Sequence, residues 1–204
     1  MPLLPVIRTL GVALMFSLST AEASQAQTAA GTNAAPGSEA YQSLRYRLVG
    51  PFRAGRTVGA VGIPSRPNVF FVGVNNGGVW KTDDYGRTWR PIFDAASTGS
   101  VGDITVSPSH PDVIYVGTGE GLHRPDLSTG DGIFKSVDGG KSWAHIGLKD
   151  VSQVGRIIVH PTDPGTVYVA GMGRPYGANS ERGVFRSRDG GATWEKILHV
   201  NANT

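Results

Sequence analysis

Ser187-Arg188-Asp189-Gly190-Gly191-Ala192-Thr193-Trp194 is the third of three near-copies of one octapeptide in this chain. The first is Thr82-Asp83-Asp84-Tyr85-Gly86-Arg87-Thr88-Trp89 and the second Ser136-Val137-Asp138-Gly139-Gly140-Lys141-Ser142-Trp143. All read Ser/Thr-x-Asp-x-Gly-x-Ser/Thr-Trp, with successive Trp residues 54 and 51 positions apart. A matching apolar run precedes each copy: Gly78-Val79-Trp80-Lys81, Gly132-Ile133-Phe134-Lys135 and Gly183-Val184-Phe185-Arg186. Recurrence at a fixed period of this size marks a repeat architecture. The octapeptide itself predicts a tight turn. Its Asp and its Ser/Thr hydroxyls can accept backbone N–H groups, its Gly supplies φ > 0, and its Trp starts the next strand with a large apolar anchor.

This motif resembles the Asp-box of β-propeller proteins, found in sialidases, sortilins and several glycoside hydrolases. There it forms the outer turn between the third and fourth strands of a blade, away from the axis. The resemblance implies a structural role for Asp84, Gly86 and Trp89, for Asp138, Gly140 and Trp143, and for Asp189, Gly191 and Trp194.

Working outward, each unit reads as four short strands. In the first, residues 57–63 form a small, apolar inner strand, 64–68 a turn, 69–74 a second strand, 75–77 a tight connection, 78–82 a third strand and 89–93 a fourth. The second unit has an inner strand at 103–106 and a second strand at 113–117; the third has them at 156–159 and 166–170. Pro64, Pro108 and Pro161 each follow an inner strand, where a missing N–H removes no ladder bond. No helical periodicity follows the N-terminal segment. The expected fold is all-β, with blades of four antiparallel strands at about residues 50–95, 96–147 and 148–204. Propellers usually have about four to eight blades. The three here are expected to be the N-terminal part of a longer, truncated propeller, with self-association as the alternative route to a closed ring.

Composition bounds the function. The 204 residues carry 29 Gly and 13 Pro, spread between apolar runs as many strands and turns require. The net charge of +3 comes from dispersed Lys and Arg with no basic block, so nucleic acid is not an expected partner. The absence of cysteine excludes disulfides, thiolate catalysis and Cys-based metal sites. Arg8 and the apolar stretch 10–18 read as a signal peptide ending near Ala21-Glu22-Ala23, too short to span a bilayer. Export, to the periplasm or beyond, is expected. Residues 24–40 read as a flexible leader, and the alternating 41–50 segment as a further strand.

The units differ mainly between their second and third strands: three residues in the first (75–77), fourteen in the second (118–131) and twelve in the third (171–182). Insertions in stacked repeats gather on one face, often the binding face. These connections hold Glu120, His123, Arg124, Asp126 and Asp131, and Arg174, Tyr176, Asn179, Glu181 and Arg182. Glu120, Asp126, Asp131 and Glu181 are candidate catalytic carboxylates, because glycoside hydrolysis needs two carboxylates across the scissile bond. The same groups also read as solvated loop charges or as local ion pairs that hold the loops. Asn75, Asn76, His123, Arg124, Arg174, Asn179 and Arg182 are candidate ligand contacts. Arg53 and Arg56, ahead of the first inner strand, suit a carboxylate ligand. Asp103 and Arg156 hold the same place in successive inner strands; they are expected to pair beside the central channel, and as channel-lining charges they are also candidate contacts for a polar ligand. No metal and no cofactor is expected. The five histidines lack ligand spacing, and no helix follows Gly117-x-Gly119-x-Gly121.

Three stretches extend the resemblance: residues 49–56, residues 77–82, and Tyr115-Val116-Gly117-Thr118-Gly119-Glu120. Together with the motif turns, they make residues 45–200 similar to large exported bacterial proteins. Those proteins resemble sortilin N-terminal domains and family 74 glycoside hydrolases, the xyloglucanases. The sortilin likeness implies a peptide or glycan ligand at the loop face or channel. The hydrolase likeness implies a polysaccharide substrate. In those xyloglucanases a catalytic Asp sits in a first-blade motif whose counterpart here is residues 74–81, with Asn75 at the Asp position. An amide cannot act as a general base at neutral pH.

Overall fold

Twelve strands form three successive four-stranded antiparallel sheets, one per repeat. The structure is a computed structural model and describes residues 55–122 and 124–202. The signal peptide, the leader, the 41–50 segment, Arg53 and His123 lie outside the described residues. The first sheet is β1 (Arg56–Ile63), β2 (Arg66–Asn75), β3 (Gly78–Thr82) and β4 (Arg90–Pro91). The second is β5 (Val101–Val106), β6 (Ile114–Thr118), β7 (Ile133–Ser136) and β8 (Ala144–His145). The third is β9 (Val154–Val159), β10 (Val167–Gly171), β11 (Gly183–Ser187) and β12 (Glu195–Leu198). Each sheet is ordered as its chain runs, and β1, β5 and β9 lie side by side as the inner strands of three propeller blades. No helix occurs among the described residues.

Some boundaries move. The turn expected at 64–68 shrinks to Pro64 and Ser65, with Arg66 paired to Ile63. Pro67 falls in the irregularity between that pair and Gly62–Phe70, where no ladder bond is lost. Asn75 ends β2 rather than opening the connection. The fourth strand expected at 89–93 shortens to the two residues of β4, and β8 has the same length. Each Trp stands one residue before its strand instead of starting it. Phe93 leaves the ladder because its ring is buried between sheets, edge-on to Phe134 and Trp143.

The motif turns are built alike. Thr82 Oγ1 donates to Asp84 Oδ1 (2.7 Å) and accepts the Gly86 N–H (2.9 Å). Asp84 also accepts the Thr88 N–H (2.9 Å) and hydroxyl (2.7 Å). Asp138 repeats this with Ser136 and Ser142, and Asp189 with Ser187 and Thr193. These bonds favour the charged carboxylate and lower all three pKa values, Asp189 to about 2, with the Ser/Thr hydroxyl at the turn's end contributing most. The residue after each Asp adopts positive φ: Gly139 and Gly190 without strain, and Tyr85 at φ 63°, in the left-handed region that favours glycine.

The same turns also join the sheets. Trp143 Nε1 donates to the Ile92 carbonyl of the first sheet (2.6 Å), and Trp194 Nε1 to the Ile146 carbonyl of the second (2.7 Å). Trp89 instead bonds within its own turn, to Gly86 (3.0 Å). In the other direction, Lys81 reaches the Gly139 carbonyl (3.3 Å) and Lys135 the Gly190 carbonyl (3.0 Å). A Cβ on Gly140 would meet Ile92 at 2.6 Å, so a bare glycine lets the isoleucine seat against the turn. Two apolar cores fill the spaces between sheets. One holds Phe71, Phe93, Val101, Ile104, Ile114 and Phe134; the other holds Tyr115, Ile133, Val154, Ile157, Val169 and Phe185. The middle sheet serves both, so β5 is almost wholly buried, whereas β9 leaves Arg156 and Ile158 exposed.

Candidate functional site

The inner strands begin, and the second strands end, on one rim of the three sheets. Each inner strand carries an irregularity near this end, between Thr57 and Gly59, Val101 and Asp103, and opposite Ala170 and Gly171. Aligning the pairings there puts Arg56, Ser100 and Gln153 at one equivalent position, and Gly59, Asp103 and Arg156 at another. Both long connections leave from this rim.

Glu120 is the centre of a buried polar cluster. Its carboxylate is fully buried, and Arg56 grips both of its oxygens at 3.1 and 3.2 Å. The Asn75 amide, also buried, donates to Oε2 at 2.8 Å, and Arg124 Nε approaches Oε1 at 3.7 Å. Ser100 completes the group by donating to Asn75 Oδ1 (3.2 Å). A buried carboxylate held this way is paired rather than stranded. It fixes two guanidinium groups whose side chains remain 45 % and 38 % exposed, so their remaining N–H donors face solvent. The cluster therefore presents cationic, planar donors at the rim, an arrangement suited to carboxylate or carbonyl oxygens.

The other candidates divide. Asp126 is exposed and takes an Arg124 hydrogen bond (3.3 Å), which lowers its pKa. Asp131 accepts the Ser97 hydroxyl and lies 3.8 Å from Lys149. Glu181 accepts the Ser180 hydroxyl (2.7 Å). Asp131 and Glu181 line one groove of about 660 Å³ together with Arg174 and Asn179, while Glu120 lies outside it. Asn179 and Arg182 are spent on their own connection: both donate to the Arg174 carbonyl (2.8 and 3.0 Å), and Arg182 also to Met172 (2.9 Å). Asn76 is an exposed turn residue with φ 58°. Asp103 and Arg156 do pair, at 3.6 Å. Asp103 is buried, which pushes its pKa up, and Oδ2 accepts the Ile157 N–H at 2.8 Å.

A second, smaller groove of about 410 Å³ opens between the two long connections, beside Pro125, Leu127, Gln153, Arg174, Pro175 and Tyr176. The Tyr176 hydroxyl donates to the Arg124 carbonyl and ties the connections together. Sequence reading missed Ser100 and Gln153. Their only signal is position, one residue ahead of the inner strand in successive repeats. Among the described residues, no group of three or more His, Cys, Asp or Glu side chains gathers to hold a metal.

Comparison with known proteins places this geometry in a family. The family model described as sortilin, neurotensin receptor 3 (Sortilin-Vps10) matches residues 77–203. A xyloglucanase of a Paenibacillus species is 26 % identical over 146 residues, covering 65 % of this chain and 13 % of that enzyme. A probable oligoxyloglucan-reducing end-specific xyloglucanase of Neosartorya fischeri is 30 % identical over 104 residues, 49 % of this chain and 12 % of that enzyme. The chain thus spans about an eighth of the length of these curated relatives. Among solved structures, an ancestral GH74 enzyme superposes with a TM-score of 0.58 at 22 % identity, covering 74 % of this chain and 19 % of that one. The GH74 enzyme of Niastella koreensis gives 0.53 at 24 %, covering 69 % and 21 %. These superpositions carry the β-propeller fold.

Proposed function

The chain belongs to the Sortilin-Vps10 family, and on that premise we propose that it is the ligand-binding part of an exported β-propeller, holding a peptide or glycan at its loop rim. The observation that carries this reading is the Arg56–Glu120–Arg124 cluster. A fully buried carboxylate is costly unless it is paired. Here its partners are two arginines that keep part of their donor surface open, which suits a receptor site built ahead of its ligand. Asn75 supports binding over hydrolysis. It stands where the xyloglucanase likeness calls for a catalytic Asp, and its amide is bound to Glu120.

Further blades complete the propeller in this reading. Ile197 follows Trp194 as Ile92 follows Trp89 and Ile146 follows Trp143, and its side chain is exposed. Another motif turn would find there the carbonyl and the isoleucine that Trp143 and Trp194 find on the preceding sheets.

The test is titration of the full chain against arrayed synthetic peptides and xyloglucan oligosaccharides. Binding by wild type that falls about tenfold or more in Arg56→Ala is expected. No binding to either class, or binding indifferent to Arg56, would overturn the reading.

The xyloglucanase relatives and the shared lining of the larger groove by Asp131 and Glu181 favour one second reading, a glycoside hydrolase acting on polysaccharide. Release of reducing ends from xyloglucan, lost in both Asp131→Asn and Glu181→Gln, would establish it in place of the first.

A further inference from the structure

Each of the first two sheets holds its successor by a recurring set of contacts. Lys81 and Lys135 reach carbonyls in the next motif turn, and the Ile92 and Ile146 carbonyls receive the indole of that turn. Tyr115, the cross-strand neighbour of Lys135, is fully buried and donates to the Pro164 carbonyl of the third sheet at 2.8 Å. In the third sheet the same register positions are Arg186, Ile197 and Tyr168. Their surroundings differ. Tyr168 is only half-buried, and Ile158, paired with it, is 56 % exposed. Arg186 turns back on Glu195 (2.7 Å), and its Nε is buried without a partner. Ile197 is exposed.

The first sheet carries the opposite half of the same set. Phe70 is 38 % exposed, whereas its register equivalents Ile114 and Val167 are fully buried. Trp89 is exposed and bonded within its own turn, where Trp143 and Trp194 donate to the sheet before them. A Cβ on Gly86 would meet only the Trp89 ring; on Gly140 or Gly191 it would strike the isoleucine of the neighbouring sheet.

We propose that the third sheet of one copy of this chain docks the first sheet of a second copy, head to tail, as successive sheets dock within one copy. Trp89 of the second copy then donates to the Ile197 carbonyl, and Gly86 beside it seats the Ile197 side chain. Arg186 leaves Glu195 for the carbonyl of Tyr85, which stands where Gly139 and Gly190 stand in the other turns. Ile158, Tyr168 and Ile197 on one side, and Phe70 and Trp89 on the other, leave water together. The contacts specify the occupant. An indole donor beside a bare glycine and a turn carbonyl is what this chain's own first sheet presents, and an unrelated apolar partner would leave Arg186 without its acceptor. A second copy thus supplies the further blades of the reading above, on which this step rests.

Sedimentation equilibrium of the full chain over a concentration series tests it, beside Ile197→Glu, Phe70→Glu, Trp89→Ala and a control, Val137→Glu, at an exposed position in the turn of the middle sheet. Wild type and the control are expected to associate alike. The dissociation constant should rise about a hundredfold or more in Ile197→Glu and in Phe70→Glu, because each buries an unpaired charge. Trp89→Ala should raise it about tenfold. In a separate chain Trp89 keeps its in-turn bond, so its loss weakens association more than it weakens the fold of one copy. Head-to-tail docking also makes the two glutamate variants complementary. Each stays a single chain alone, and an equal mixture recovers association, because the intact third sheet of the Phe70→Glu chain meets the intact first sheet of the Ile197→Glu chain. Melting curves check that each variant folds, and Trp89→Ala replaces Phe70→Glu in the mixture if that variant does not. A wild type that remains a single chain overturns the proposal. So does association indifferent to both glutamate variants, or lost only in Ile197→Glu, which would mark like sheets meeting. A single-chain wild type with Arg56-dependent ligand binding leaves the ligand-binding reading standing; an assembled chain that binds neither peptide nor oligosaccharide overturns that reading and supports this one.

Discussion

The Asn75 side-chain amide donates to Glu120 Oε2 at 2.8 Å, across 45 residues of sequence, and both groups are buried. Asn75→Asp would replace this donor with a second carboxylate against the first. Two acids at that range cannot both stay ionised, so one takes up a proton. The variant is expected to lose about 2–4 kcal/mol of stability at neutral pH. The introduced acid has a folded pKa above its unfolded value, so the deficit shrinks as pH falls through that folded pKa. Urea unfolding of wild type and variant at neutral and mildly acidic pH measures this. Equal stability at both pH values would contradict it.

Trp143→Phe keeps an aromatic ring against Phe93 but removes the bond to the Ile92 carbonyl. A loss of about 1–2 kcal/mol is expected, with a similar loss for Trp194→Phe. Trp89 bonds only within its own turn and is 39 % exposed, so Trp89→Phe should cost clearly less. Three equal losses in chemical denaturation would mean that the indole bonds do not join the sheets.

Tyr85 holds φ 63° where the other two copies of the motif have Gly139 and Gly190. Its side chain is exposed. Tyr85→Gly removes the left-handed strain and adds some unfolded-state entropy, for an expected net gain of about 0.5–1 kcal/mol. A lowered melting temperature would show that the tyrosine ring makes a contribution larger than the strain.

Asp103 is buried with its Oδ2 on the Ile157 N–H. Asp103→Ala strands that donor and should cost about 1–3 kcal/mol, whereas Asp103→Asn keeps an acceptor and should cost less. The folded pKa of Asp103 is raised, mainly by burial, so its ionisation opposes folding as pH rises through that value. The asparagine variant therefore gains relative to wild type as pH increases. Melting temperatures across an acid-to-neutral series test the sign.

The motif aspartates act oppositely. Asp189 falls from 3.8 to about 2, because the charged form accepts the Thr193 and Ser187 hydroxyls and the Thr193 N–H. Its stabilisation is present above the unfolded pKa and is lost as pH drops from about 4 towards 2. Asp84 and Asp138 extend the loss to lower pH. Asp189→Asn should flatten this acid limb of the thermal stability curve. An unchanged limb would show that the turn does not depend on its charge.

The sheets were legible in the sequence because their determinants are local. A motif turn closes its hydrogen bonds within eight residues, so three copies predict three outer turns and the strands that flank them. The pairing of Asp103 with Arg156 was also legible, since repeats convert equal positions into neighbours. Strand ends were less so. Phe93 and Ile92 look like strand residues, but Phe93 serves the core and the Ile92 carbonyl serves Trp143 of the next sheet. Among the site candidates, Asn179 and Arg182 have the right chemistry for ligand contact, but the structure turns both back onto the Arg174 carbonyl.

By itself, then, the sequence determined an all-β repeat with Asp-anchored turns and two long connections on one rim. Tertiary structure alone decided that Arg56 meets Glu120 across 64 residues, and that Gln153 lies buried beside Pro125 and Tyr176 with its acceptor unpaired. The reason is range. Turn and strand preferences act over a few bonds and leave a repeating signature in the chain. The partners of a buried charge or amide are set by which loops the packing of neighbouring sheets brings together, and no short stretch of sequence encodes that.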